Sequence, residues 1–139
     1  MKHIYSLVVV TLAMSLALLA GPTLMAQDAL KTGKVLERTT LKAAPGWEAI
    51  LVERDIPPGK ESGKHTQMGN EIVYVDSGSV ILQVQGKPDK TVKAGEAFTT
   101  SAGEVHNVKN ASSSEPVKAL AFYVAKKGSK IEDLSTPVK

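Results

Sequence analysis

The stretch GKESGKHTQMGNEIVYVDSG, from Gly59 to Gly78, decides the fold of this chain. Within it, His65 and Gln67 are two residues apart, so on a β-strand their side chains point to the same face. Glu71 follows a small Gly-Asn turn and can return toward them. We therefore expect these three polar side chains to lie close together.

A second stretch, GEAFTTSAGEVHNVKN from Gly95 to Asn110, places His106 on a later strand. Side chains from two separate strand regions meet only where a sheet curls on itself, and the interior of a barrel provides that curvature. A single histidine on a strand is more often a satisfied core or surface residue than a ligand. For either histidine taken alone, that is the expectation.

Short strands separated by Gly and Pro make up most of the chain after residue 34. Apolar residues at 80, 82 and 84 alternate with Ile81, Gln83 and Gln85, a period of two that is typical of a strand with one buried face. Many such strands at regular spacing predict an all-β barrel or sandwich. With 139 residues, the chain is long enough for one domain.

The first 26 residues are predicted to be a secretory signal peptide. A polar start at Lys2 and His3 precedes an apolar run from Leu7 to Ala20, and Ala26 offers a small residue for cleavage. The apolar run is shorter than the roughly 20 residues of a membrane-spanning helix, although an uncleaved anchor is the alternative. We therefore expect an exported protein, periplasmic or secreted, without a stable membrane anchor after cleavage.

Charge and cysteine content narrow the function classes. The chain has 17 Lys and Arg against 14 Asp and Glu, and Lys2 alone among these precedes residue 27, so the remainder carries a net charge of +2. The sequence contains no basic run interleaved with aromatics, so it does not predict a nucleic-acid partner. Cysteine is absent, so any metal must be bound by imidazole, carboxylate or amide groups.

Both quoted stretches resemble the paired signature motifs of the cupin superfamily. The first motif reads Gly, five residues, His-x-His, three or four residues, Glu, six residues, Gly. The second reads Gly, five residues, Pro-x-Gly, two residues, His, three residues, Asn. Every spacing is met here, and the two departures are Gln67 in place of the second histidine and Ser101 in place of the proline.

The resemblance implies an all-β double-stranded β-helix, the jelly-roll barrel, over residues 49–125. Residues 27–48 are expected to form a lead-in whose strand can be exchanged between subunits. Residues 126–139 are expected to form a C-terminal tail, either loose or laid on a partner. The chain is similar to the small exported cupins likened to quercetin dioxygenase, which implies a homodimer.

Carried over by position, the resemblance implies a divalent metal held by His65, Gln67, Glu71 and His106. Fe(II) is the first expectation, with Mn, Ni, Cu or Zn as alternatives. Gln67 is either a weak fourth ligand, which its place on the His65 face favours slightly, or a donor that orients water or substrate. Without it, two histidines and one carboxylate remain, the set associated with non-haem Fe(II) oxygenases. Glu71 is also the candidate catalytic base, with a purely structural ligand as the alternative.

Three functions are compatible with these residues. The first is a dioxygenase-type oxidoreductase acting on a small oxygenated organic substrate. The second is a non-catalytic module that binds a metal or small ligand, and the third is a sugar or keto-acid isomerase. Consumption of O₂ distinguishes the first from the other two, and a pure binding module would show only stabilisation by its ligand.

Overall fold

In the computed structural model, residues 33–138 form ten strands and one turn of 3₁₀ helix. The signal peptide predicted over 1–26 and the lead-in up to residue 32 lie outside these described residues. Within 33–138, no helix has the length and apolar character needed to cross a membrane. In chain order the elements are β1 Lys34–Thr40, β2 Trp47–Ile56, β3 His65–Gln67, β4 Glu71–Ser77, β5 Ser79–Val84, β6 Lys90–Lys93, β7 Ala97–Thr100, β8 His106–Asn110, β9 Val117–Lys126, the 3₁₀ turn Ile131–Asp133 and β10 Ser135–Pro137.

The strands form two five-stranded antiparallel sheets. The first sheet has the order β1-β2-β9-β4-β7, and the second has the order β10-β3-β8-β5-β6. Most neighbouring strands, such as β2 and β9 or β3 and β8, are distant in sequence, as in a double-stranded β-helix, so the fold predicted from the motifs is confirmed. Apolar side chains from both sheets form the core, among them Ile50, Val52, Val73, Val75, Val80, Leu82, Val92, Phe98, Val117 and Leu134.

Strand β9, which forms the longest pairing of the fold with β2, leaves open space inside the barrel. The two ten-residue strands pair along their whole length, from Trp47 opposite Lys126 to Ile56 opposite Val117. Strand residues alternate between the two faces of a sheet, and the inner face of β9 carries Ala119 and Ala121. Because these are methyl groups, they do not fill the space in front of them.

Gly78 connects β4 to β5 in a conformation that side chains disfavour. Its φ is 79°, in the left-handed region that glycine adopts without steric cost. A Cβ at this position would lie 2.9 Å from Cγ2 of Val117. Gly78, the last residue of the first motif, is therefore required both by the turn and by the close approach of β9.

Asn110, the last residue of the second motif, joins three segments of backbone. Its Nδ2 donates to the carbonyl oxygens of Ile56, Pro57 and Glu115, and its Oδ1 accepts from the backbone N–H of Ser112. The side chain is 1% exposed. A single buried amide thus ties the end of β2 to the loop that follows β8.

The two ends of the described chain extend the sheets beyond the barrel expected at 49–125. β1 pairs with β2 of its own chain, and exchange of this strand between subunits stays a prediction. The C-terminal residues, expected as a loose tail or an arm on a partner, form β10 against β3 instead. Leu134, only 3% exposed, anchors that strand in the core.

We predict that Asn110→Ala lowers the free energy of unfolding by about 3 kcal/mol, because buried carbonyl groups lose their donor. Urea denaturation, with the midpoint and slope compared with the wild type, measures this change. The matched control is Ser113→Ala in the exposed part of the same loop, which should stay within about 0.5 kcal/mol. A loss below about 1 kcal/mol for Asn110→Ala would contradict the role assigned to this amide.

Candidate functional site

His65 and His106 meet inside the barrel although 41 positions separate them in the sequence. Each residue begins its strand, β3 or β8, and the two are directly opposite in the antiparallel register. Their ring centroids lie 4.2 Å apart with an interplanar angle of 57°. Both side chains are almost completely buried, with 2% and 1% of their surface exposed.

Backbone carbonyl groups determine the orientation of both rings. Nδ1 of His65 lies 2.8 Å from the carbonyl oxygen of Gly63, and Nδ1 of His106 lies 2.9 Å from that of Glu104. A carbonyl oxygen only accepts, so Nδ1 carries the proton in each ring. In the neutral imidazole, Nε2 then presents its lone pair, which is the form that binds metals.

Glu71 faces these rings from the other sheet. It begins β4, where Tyr123 of β9 and Thr100 of β7 are its direct cross-strand partners. The hydroxyl of Tyr123 donates to Oε1, and the hydroxyl of Thr100 donates to Oε2 at 3.3 Å. Oε2 also lies 3.8 Å from Nε2 of His106. The register of the first sheet therefore provides two donors for a carboxylate that is 5% exposed.

Gln67 gives Glu71 a third donor. Its Nε2 donates to Oε2 of Glu71 at 3.2 Å, and its Oε1 accepts from the hydroxyl of Ser135 at 3.3 Å. All three side chains are buried. The structure thus brings together the four residues singled out in the sequence, His65, Gln67, Glu71 and His106, with both ends of the Gln67 amide in hydrogen bonds.

Tyr123 and Arg54 belong to the site, although the sequence reasoning did not place them there. The hydroxyl of Tyr123 accepts from Arg54 at 3.2 Å and donates to Glu71. Burial raises the pKa of Tyr123, with the charge of Glu71 as the next cause, so its hydroxyl keeps its proton. The period of two could have identified both residues, since Arg54 follows Ile50 and Val52, and Tyr123 follows Ala119 and Ala121.

Two other residues of the first motif point away from the polar cluster. Tyr74 is 42% exposed on the outer face of β4. Met68, between Gln67 and Glu71, is 66% exposed. Ser101, at the position of the expected proline, directly follows β7 and donates its backbone N–H to the carboxylate of Glu104.

A small cavity of about 60 Å³ adjoins the polar cluster. The polar part of its lining consists of Arg54, Asp55, Ser62, His65, Gln67, Glu71 and Tyr123, and the rest is apolar. His106 adjoins the cavity through Glu71 rather than lining it. Binding sites for drug-sized molecules measure about 300–1,000 Å³, so this cavity suits a ligand of a few heavy atoms. The apolar lining includes Ile56, Val73, Val80, Phe98, Val108, Ala119 and Ala121.

The donor chemistry of this cluster fits a divalent metal. Nε2 of His106 is buried and has no hydrogen-bond partner among the described residues. A buried acceptor without a partner costs about 1–3 kcal/mol, and a metal ion would satisfy it. As the side chains lie, Glu71 is held by its own hydrogen bonds, and no three His, Cys, Asp or Glu side chains within residues 33–138 are arranged to hold an ion. Metal binding would therefore require the side chains to close around the ion.

Burial is the main reason why the pKa of His65 falls from its ordinary value of 6.5 to about 4. The hydrogen bond to Gly63 opposes this effect, and the charges of His106 and Arg54 add to it. His65 is therefore a neutral imidazole near neutral pH, ready to act as a ligand and unsuited to act as an acid.

We predict that the protein without added metal loses stability as the pH falls from about 6.5 toward 4. In this window the unfolded chain protonates His65 and the folded chain does not, so protons favour unfolding, by up to about 3 kcal/mol for this residue. Denaturation midpoints at several pH values in the presence of a chelator measure the loss. The variant His65→Asn, which keeps a donor for the carbonyl of Gly63, should show a shallower decline; an unchanged slope would contradict the assignment.

Comparison with known proteins agrees with this geometry. The family model described as "Cupin domain" matches residues 52–123, about half of the chain. The chain is 37% identical over 73 residues to the beta-alanine degradation protein BauB of Pseudomonas aeruginosa, covering 50% of this chain and 76% of that protein. It is 34% identical over 62 residues to an oxalate-binding protein of Thermotoga maritima, covering 44% of this chain and 50% of that protein.

Solved structures share the fold. A conserved protein with a double-stranded β-helix domain from Klebsiella pneumoniae superposes with a TM-score of 0.54 at 19% identity, covering 74% of this chain and 88% of that one. A cupin-like protein from Thermotoga maritima gives 0.51 at 22% identity, covering 70% and 75%. At these identities the likeness concerns the fold, and kinship with the quercetin dioxygenase group stays a prediction. Its sequence and its two-sheet barrel together show that this chain belongs to the cupin superfamily.

Proposed function

We propose that this cupin binds a divalent transition metal and, beside it, one small oxygenated organic molecule. The observation that carries the proposal is the orphaned Nε2 of His106, which is buried and faces Oε2 of Glu71 at 3.8 Å. His65 lies against His106 with its lone pair likewise on Nε2. Two imidazoles and a carboxylate form the ligand set that suits Fe(II) in oxygenases, with Mn, Ni, Cu and Zn as alternatives.

The cavity walls indicate the chemical class of the ligand. The guanidinium of Arg54 lines the cavity and carries a fixed positive charge, and Tyr123 adds a hydroxyl. An anionic or hydroxyl-bearing molecule would match these groups, and the volume of about 60 Å³ limits its size. The relative named for oxalate binding supports a small acid as the ligand.

We propose dioxygenase-type chemistry for the enzymatic form of this function. A bound Fe(II) would lower the pKa of a chelating substrate hydroxyl and provide the site for O₂. The residues of this chain would position the substrate: Arg54 would hold its negative charge, and the apolar wall formed by Val73, Phe98 and Val108 would exclude water. Three hydrogen-bond donors hold the Glu71 side chain in place, which favours the role of fixed ligand over that of a base that leaves the metal.

A non-catalytic binding module is the second candidate. It is favoured by the small cavity and by Gln67, which replaces an imidazole with a neutral amide. In this version the same groups would capture a metal with its small acid and release them unchanged. The name of the oxalate-binding relative describes binding and no reaction.

We predict that the protein starting at Gln27, purified without a tag or chelator, contains about one equivalent of a single transition metal. His106→Ala should lose most of it, because the variant removes a ligand and leaves Glu71 without its partner across the sheets. Elemental analysis measures the metal content, and Lys109→Ala on the exposed face of the same strand is the control.

O₂ uptake by the metal-loaded protein with small hydroxy or keto acids then distinguishes an enzyme from a binding module. Metal-free wild type with no thermal shift on adding Fe, Mn, Ni, Cu or Zn would refute metal binding.

We also propose that the protein is a homodimer joined through the outer face of the first sheet. Five large apolar side chains there are 38–48% exposed: Trp47, Ile72, Tyr74, Phe122 and Val124. The register places Phe122 opposite Ile72 on one neighbouring strand and opposite Leu51 on the other, so the patch is continuous. Contiguous exposed apolar patches mark interaction sites.

The dimensions of this face favour a second copy as its partner. Five strands about 4.8 Å apart and four to ten residues long cover roughly 600 Å², which approaches the ~800 Å² that each partner contributes to a standard interface. Residues 27–32 contain one large apolar side chain, Leu30, which is too little to cover the patch.

We therefore predict that Phe122→Glu weakens self-association at least about a hundredfold, because the charge enters the interface twice by symmetry. Sedimentation equilibrium of the chain from Gln27 measures this effect. Thr91→Glu, an exposed position on the second sheet, should leave the association unchanged. A wild type that is monomeric at all accessible concentrations would refute the interface.

A further inference from the structure

The amide of Gln67 has both of its ends engaged inside the protein. Nε2 donates to Glu71 at 3.2 Å, and Oε1 accepts from the hydroxyl of Ser135 at 3.3 Å. Gln67 is 4% exposed, so solvent does not compete for these bonds. This arrangement differs from that of a ligand, whose oxygen would have to be directed at the metal.

The chemistry of the neighbours determines which way the amide points. Tyr123, Thr100 and Gln67 all converge on Glu71, which matches an ionised carboxylate that can only accept hydrogen bonds. The amide nitrogen must therefore face Glu71, and the oxygen must face Ser135. With the amide reversed, two oxygens would oppose each other in a buried place.

Ser135 reaches Gln67 because the chain returns to the site at its C-terminal end. Ser135 lies directly opposite Gln67 in the antiparallel pair of β10 and β3. Two backbone bonds frame this pairing, from Met68 N–H to the carbonyl of Leu134 and from Val138 N–H to that of Lys64. Leu134 is packed in the core at 3% exposure, which fixes the position of the strand.

We propose that Gln67 is a positioning residue and not a metal ligand. Locked by Ser135, it holds the carboxylate of Glu71 beside Nε2 of His106, so that the metal set is His65, His106 and Glu71. The assignment of the metal ligands rests on the proposed metal binding. The hydrogen bonds from Ser135 to Gln67 and from Gln67 to Glu71 are present without a metal. The C-terminal strand is thereby part of the site, and Ser135 is a second positioning residue.

Co(II) binding followed by visible absorption tests the ligand assignment, because the bands report the number and type of ligands. We expect Gln67→Ala to bind Co(II) roughly tenfold to a hundredfold more weakly, as is typical when a residue that orients a ligand is lost. Its absorption bands should keep the positions and intensities of the wild type. Bands that change to those of a site with one ligand fewer would overturn the proposal.

Side-chain amide NMR signals of the metal-free protein test the positioning separately. We expect the Gln67 NH₂ pair to exchange slowly with water, to shift and exchange faster in Ser135→Ala, and to recover in Ser135→Thr. Co(II) affinity should fall a few-fold to about tenfold in Ser135→Ala and return in Ser135→Thr. Thr136→Ala, exposed on the same strand, is the control and should change neither readout.

The Co(II) and NMR experiments distinguish a failure of the proposed metal binding from a failure of the proposed positioning role. A wild type that binds no Co(II) would refute the proposed metal function and leave the NMR arm to decide the positioning. Gln67 signals that are indifferent to Ser135→Ala would overturn the positioning, whatever the metal result.

Discussion

The site depends on the burial of one carboxylate between two sheets. A buried charge is tolerated only when it is paired or hydrogen-bonded, because its desolvation otherwise costs several kcal/mol. Glu71 meets this requirement through the register of its own sheet, which places Tyr123 on one side and Thr100 on the other. The pairing of β4 with its two neighbours therefore sets the pattern of side chains at the centre of the barrel.

The imidazoles come from the opposite sheet, so the geometry of the site depends on how the two sheets pack. β3 has three residues, and its pairing with β8 joins His65 to His106. On its other side, β10 adds the ladder that prevents β3 from being an edge strand. A short strand held on both sides keeps its side chains in place better than a loop would. The same packing keeps Nε2 of His106 within reach of Glu71.

Much of this arrangement could be predicted from the sequence, for identifiable reasons. Motif spacing is a local property, and it indicated both the fold and the residues His65, Gln67, Glu71 and His106. The inward positions of Arg54 and Tyr123 follow from strand alternation, yet aromatic and charged residues have so many ordinary roles that alternation alone did not single them out. The contact from Ser135 could not be predicted, because it depends on a chain reversal 68 residues away from Gln67. No local pattern encodes the register of that return.

The lining of the cavity combines polar and apolar groups from both sheets. The methyl groups of Ala119 and Ala121 leave room in front of the first sheet, and Phe98 and Val108 add apolar surface. The polar lining also comes from both sheets, with Arg54 on the first and His65 on the second. Because apolar, low-dielectric walls strengthen electrostatic interactions, the charge of any molecule placed in this volume of about 60 Å³ would matter as much as its size.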